Sequence, residues 1–437
     1  MHIKALLVLI CSAALVIMPA PSLALSQPAA PSSPSTVSLA LIFDSHVDPA
    51  TVQQLEQTYN ISYVWGASDP EPPGGSAHHD YYIAWAQGYC PVPGHGYTSL
   101  DCPTGGPPSY PWLEKYHPDW ILYEADGKTV AHNRFNAGPI LNFANPAVQR
   151  YWFLTYVQPA LLRGFTGIAW DNPVAFNSYS AVGYWKNATT FVKLYSGLPS
   201  DPAWVAAQAG ALSGFLKLAR TVDPTAQFAL NVSLDCEYAN ISTWEEPLKY
   251  VQTVVDEEGY SNWGNSDPWI DARPSTYCTN RWLSKTEALI ALQKAGKSVV
   301  EIDASPLQVA QDLTAADKSG DARAEIQWDL ANYLLTKYTA TYLWYGHEQA
   351  YGYGVIPQPE LMADLGTPLG DMVATQSVYE RTYTKGLAVV NPSPNNAFTV
   401  TLPTGKYQDL YGYPLNSVVM PPHTGLVLDF KGSAPLA

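Results

Sequence analysis

Short apolar or β-branched runs alternate with helix-patterned segments along most of this 437-residue chain, and no other feature restricts the fold as much. The runs fall at 38–44, 61–66, 120–123, 167–171, 228–232, 251–257, 298–302 and 340–345. Helix-like segments separate many of them, at 49–59, 146–162, 202–222, 285–295 and 322–338. Asn145-Pro146 and Asp201-Pro202 each set a capping side chain before a proline suited to the first helical position. Eight strands alternating with helices predict an α/β fold, a (β/α)8 TIM barrel whose sites gather at the C-terminal strand ends.

The two ends of the chain read differently. Residues 1–24 form a secretory leader: a basic start at Lys4, an apolar core from Ala5 to Met18, and small residues at Ser22 and Ala24. The apolar core is too short to span a bilayer comfortably, so the mature chain is expected to be secreted or cell-surface, without a membrane span. Residues 25–37 are a Pro/Ser-rich linker, 38–375 the barrel, and 376–437 a small C-terminal antiparallel β-sandwich of short strands and tight turns. Of five cysteines, Cys11 belongs to the leader. Cys90, Cys102, Cys236 and Cys278 predict disulfides in an oxidising compartment. Three pairings are possible, and the local one is favoured because each pair brackets a single irregular loop. Sequons stand at Asn60, Asn187, Asn231 and Asn240. A glycan on Asn231, at a strand end, would block a cleft, which points to a host that does not glycosylate.

A net charge of −15 argues against nucleic acid and anionic membranes as partners. Charged residues make up only 14% of the chain while aromatics reach 12%, with 14 Trp and 29 Tyr. Such a surplus of rings with polar tips suits a cleft for carbohydrate, which offers a stacking face and hydroxyls together. No nucleophile elbow, Gly-rich phosphate loop, HExxH or zinc-type cysteine spacing occurs, so no cofactor or metal is expected.

Two runs end in acids. Gly164-Phe165-Thr166-Gly167-Ile168-Ala169-Trp170-Asp171-Asn172 reads as a buried parallel strand delivering Asp171 to the sheet edge. Gly167, Ala169 and Asp171 should face the barrel axis, with the small residues leaving space beneath the acid. The second run, from Tyr250, ends in Asp256-Glu257-Glu258-Gly259; aligned on the first, it puts Glu257 at the register of Asp171. Glu258 remains an alternative because Gly259 lets the strand end early. The plainer readings are a helix-capping Asp171 and a solvated acidic strand end. Paired carboxylates on separate strands point instead to glycosidic-bond cleavage. Candidate substrate-binding residues at other strand ends are Asp44, Trp65, Asn231, Asp303, Tyr345 and His347. Glu124-Ala125-Asp126-Gly127-Lys128 reads as a turn, and His78-His79-Asp80, after a Pro/Gly-rich stretch, as a solvated loop.

Three segments carry a resemblance: Tyr116-His117-Pro118-Asp119-Trp120-Ile121-Leu122-Tyr123, Leu141-Asn142-Phe143-Ala144-Asn145-Pro146-Ala147-Val148-Gln149-Arg150-Tyr151-Trp152, and Gly164 to Asn172. In that order they resemble the bacterial family called hypothetical glycosyl hydrolase family fifteen, over roughly residues 38 to 350. The resemblance implies a TIM-barrel hydrolase with one acid after strand four and another after strand six. That placement is similar to the clan containing α-galactosidases, whose nucleophile and acid/base occupy those strand ends. Here the second position falls in Asp-Glu-Glu, where that clan commonly has Asp. The expectation is a secreted glycoside hydrolase acting on a polysaccharide or cell-surface glycan, with Asp171 as nucleophile (or base, if it inverts) and Glu257 or Glu258 as proton donor. The rival is a catalytically inactive carbohydrate-binding surface protein on the same scaffold. A deacetylase is disfavoured by the lack of a His/Asp metal set.

Overall fold

A computed structural model describes residues 37–42, 61–67, 77–84, 108–133, 138–171, 176–236, 241–261, 270–304, 320–338, 340–346, 359–375, 377–402 and 406–431. Eight parallel strands close a barrel in chain order: β1 (Leu39–Ile42), β2 (Ile61–Ala67), β3 (His78–Ala84), β4 (Gly167–Asp171), β5 (Gln227–Val232), β6 (Thr253–Asp256), β7 (Ser298–Ala304) and β8 (Thr341–Gly346). Helices α1 (Pro202–Val222), α2 (Arg281–Lys294) and α3 (Gly320–Thr336) follow β4, β6 and β7 in the chain. The segments Pro146–Trp152 and Gln158–Leu162 join through one wider turn, Phe153–Val157, ahead of β4. Both helix starts marked by proline form as expected. The Asn145 side chain accepts from the Ala147 amide at 2.9 Å, and Asp201 from the Ala203 amide at 2.8 Å.

One strand differs from the sequence expectation. The third barrel strand is His78–Ala84, not 120–123, and His78-His79-Asp80 is no solvated loop. His79 and Asp80 are buried. The polarity of Asp80 is accommodated because it accepts from the Tyr63 hydroxyl and lies 2.7 Å from His78 Nε2. Trp120 instead closes a short 3-10 turn outside the barrel, where Ile121 and Tyr123 make isolated bridges to Leu141, Val130 and Gly183. Glu124 to Lys128 is the expected turn, with Asp126 accepting from the Lys128 and Thr129 amides.

The space beneath Asp171 is not empty either. At Gly167 a Cβ would collide with the Asp80 carboxylate and come within 2.6 Å of the Gln227 carbonyl. Glycine is therefore required there by close approach rather than by φ. Gly167→Ala is expected to lose about 3 kcal/mol in urea unfolding through forced displacement of β3 or β5. Unchanged stability in that variant would mean that Asp80 swings aside freely.

The C-terminal residues form β9 (Val373–Thr375), β10 (Val378–Tyr383), β11 (Gly386–Asn391), β12 (Phe398–Thr401), β13 (Tyr407–Asp409), β14 (Pro414–Leu415), β15 (Ser417–Met420) and β16 (Thr424–Phe430). Six make an antiparallel sheet in the order β9-β10-β11-β16-β13-β14, and β12 pairs with β15 as a ribbon. Val378, Leu387, Val389, Val400, Met420 and Leu428 fill the space between the two layers. The other face of the sheet meets α3. A Cβ on Gly425 would lie 2.5 Å from Trp328 Cα, and Gln327 Oε1 accepts from the Val427 amide at 2.8 Å. The buried Arg381 guanidinium donates to the carbonyls of Leu334, Leu335 and Lys337, satisfying helix-end acceptors that would otherwise lack partners.

Cys236 and Cys278 form one disulfide of the favoured pairing, with Cα atoms 6.0 Å apart. Cys90, Cys102, Asp44, His347 and residues 1–24 lie outside the described residues. Among the described residues, no helix is long and apolar enough to cross a membrane.

Candidate active site

The alternation of β4 separates its side chains cleanly. Trp170 packs outward against Phe215 of α1, with ring centroids 5.0 Å apart, while Asp171 points to the barrel axis at the strand end. Tyr82 of β3 donates to Asp171 Oδ2 at 2.6 Å, and Asn231 of β5 donates to Asp171 Oδ1 at 2.7 Å. The same Asn231 Nδ2 also donates to Glu257 Oε2, just past the end of β6. Asp171, Asn231 and Glu257 thus meet through one amide nitrogen. Trp65 stands beside them, its ring edge-on to Tyr82 at 6.2 Å.

Glu258 takes another direction. It accepts from the Ser233 hydroxyl at 2.7 Å. Burial pushes its carboxyl above the usual range, with the Ser233 hydrogen bond and the Lys285 charge opposing the rise. The turn bearing both glutamates is firmly held. The Gly259 amide donates to the Ile302 carbonyl at 3.0 Å, and the Tyr260 and Ser261 amides donate to Asp303 Oδ1. Gly259 is needed here, because a Cβ would strike Asp303 and lie 2.7 Å from the Ile302 carbonyl. From α2, Lys285 makes a 2.6 Å ion pair with Asp256 and donates to the Glu258 carbonyl. Arg281, one turn earlier, pairs with Asp235 in the segment after β5.

The sequence candidates therefore divide. Asp171, Trp65, Asn231 and Glu257 come together at one end of the barrel, and Glu258 sits alongside. Asp303 faces the helix layer, fully buried, and serves as an acceptor for the turn after β6. Tyr345 pairs in register with Asp303, which places it on the same outward side, and it too is buried. Sequence reasoning missed Tyr82, because its strand was read as a loop. The alternation Asp80, Tyr82, Ala84 was the available signal. Among the described residues no group of His, Cys, Asp and Glu has metal-binding geometry.

Behind the site lies a layer of buried acids between β7 and α3. Burial, reinforced by the charge of Asp303, pushes Glu301 up to about 8. Burial also pushes Asp303 up to about 7, against hydrogen bonds from the turn after β6. An acid raised on folding holds a proton that the unfolded chain releases. Its contribution is complete below about pH 4 and is lost as pH rises toward 7 and 8, by at most about 1.4 kcal/mol per pH unit per group. Urea midpoints are expected to fall between pH 5 and pH 8, and Glu301→Gln to flatten the decline. Equal slopes for the two proteins would show that Glu301 does not hold this proton.

Asp171 and Glu257 thus stand at the ends of the fourth and sixth strands of a closed parallel barrel. The model of the family described as Hypothetical glycosyl hydrolase family 15 matches residues 103–387, and the chain belongs to that family. A comparison with curated protein sequences finds no match. Among solved structures, the chain is similar to the glycoside hydrolase domain of PelA from Pseudomonas aeruginosa, at 13% identity and TM-score 0.40, covering 74% of this chain and 98% of that one. It is also similar to an α-amylase from Anoxybacillus, at 10% identity and TM-score 0.42, covering 92% and 98%. The α-amylase of Geobacillus thermoleovorans, complexed with acarbose, gives 12% identity and TM-score 0.42, covering 91% and 98%.

Proposed function

We propose that this protein is an exported glycoside hydrolase that cleaves a polysaccharide or cell-surface glycan with retention of configuration. The observation that carries the reading is the single Asn231 nitrogen donating to both Asp171 and Glu257. Two carboxyls sharing one donor have their nearest oxygens within two hydrogen-bond lengths, under about 6 Å. That closeness favours a nucleophile and an acid/base over the wider pair of an inverting enzyme. An Asp171 oxygen bonds to the anomeric carbon as the glycosidic C–O bond breaks, and Glu257 gives its proton to the departing oxygen. Water then loses a proton to Glu257, its oxygen bonds to the anomeric carbon, and Asp171 leaves as the carboxylate.

One observation favours a second assignment within this chemistry. Burial raises Glu258, as a proton donor requires, whereas Glu257 shares the Asn231 amide donor with Asp171. Geometry favours Glu257, because the donor must reach the same anomeric centre as the nucleophile.

The test is incubation with a glycan panel, reading released reducing ends and product anomer by NMR. Products of retained configuration are expected. Inverted products would remove Asp171 as nucleophile, and glycan binding without cleavage would favour the carbohydrate-binding alternative.

A further inference from the structure

Asp171 is held at both oxygens: the shared amide meets Oδ1, and the Tyr82 phenol lies 2.6 Å from Oδ2. A carboxylate only accepts, so the phenol is the donor. Tyr82 is half-buried, and its ring is braced edge-on by the fully buried Trp65. Register makes the placement firm: Tyr82 pairs with Ala169 and Ala84 with Asp171, so the phenol reaches up one layer to the acid.

We infer that Tyr82 is a positioning residue that governs how readily Asp171 departs from the sugar, an inference that rests on the retaining reading above. A donor to Oδ2 draws electron density from the carboxylate. This makes Asp171 a slightly weaker nucleophile in the first step and a better leaving group in the second. Its largest effect falls on hydrolysis of the glycosyl-enzyme, where the C–O bond to Asp171 breaks and full carboxylate charge returns to the atoms that Tyr82 faces. Asn231 cannot take over, because its nitrogen is engaged at Oδ1 and with Glu257.

The experiment uses Tyr82→Phe in the full chain, with 2,4-dinitrophenyl glycosides of glucose, galactose and their 2-acetamido forms as probes. These leaving groups need no proton, so the second step limits turnover. A lost hydrogen bond to a charged group predicts a fall in kcat of about ten- to a hundredfold. KM should fall in parallel, and intact-mass spectra should show an accumulating glycosyl adduct on the variant. A merely structural role would lower kcat without accumulating adduct, and that result, or unchanged kcat, overturns the inference while leaving the hydrolase reading intact. If the wild-type protein turns over none of the probes and no panel glycan, the hydrolase reading itself fails and takes this inference with it.

Discussion

Asp171→Asn is expected to lower hydrolysis of any cleaved glycoside by roughly ten-thousandfold or more, with the folded state retained. The amide keeps the shape of the side chain and can still meet Tyr82 and Asn231 after reorientation, but it forms no glycosyl ester. Glu257→Gln should behave differently, and the contrast identifies the roles. Loss of a general acid costs about 10² to 10⁴ on substrates with poor leaving groups. The first step on 2,4-dinitrophenyl glycosides should be nearly untouched, because that leaving group departs without a proton. Azide should then attack the stranded intermediate and yield a glycosyl azide of retained configuration. Glu258→Gln is expected to leave this pattern absent. If Glu258→Gln shows it and Glu257→Gln does not, the donor is Glu258, and burial has outweighed the shared amide in selecting the acid.

Much of this arrangement was legible in the sequence where the signal is local. Asp171 follows a run whose small residues at 167 and 169 and large ones at 168 and 170 declare which side faces the axis. Prolines after Asn145 and Asp201 marked helix starts for the same reason, since cap and first turn lie within three residues. The third strand was not legible, because two histidines and an aspartate look unfit for a barrel interior. What makes Asp80 fit is the hydroxyl of Tyr63 on the neighbouring strand, information that no local window contains. Asp303 and Tyr345 illustrate a different limit. Each stands at a strand end, but a shift of one residue reverses the face, and only the register between β7 and β8 fixes it. The same one-residue ambiguity touched Glu257, which alignment on the run ending at Asp171 favoured while Glu258 stayed an alternative.

Lys285→Met is expected to be the most destabilising single change near the site, by about 3–5 kcal/mol. Lys285 and Asp256 are both fully buried, and their 2.6 Å ion pair lies between β6 and α2. Removing the cation leaves Asp256 with the Leu234 amide at 3.2 Å as its remaining described hydrogen bond, far too little to offset the loss of water. The neighbouring Glu301 and Asp303 make the site still less tolerant of an unpaired carboxylate, since Lys285 opposes the rise in both. The double variant Lys285→Met/Asp256→Leu should recover most of the stability, because an apolar pair of similar volume can replace a buried ion pair at little cost. Turnover should not recover with it. Lys285 also donates to the Glu258 carbonyl, and no apolar side chain can hold the turn that aims Glu257. Urea midpoints and aryl-glycoside turnover on the two single variants and the double separate these roles. Single variants within 1 kcal/mol of the parent would show that the pair is not energetically coupled. A double variant that regains full turnover would show that the turn needs no anchor from α2.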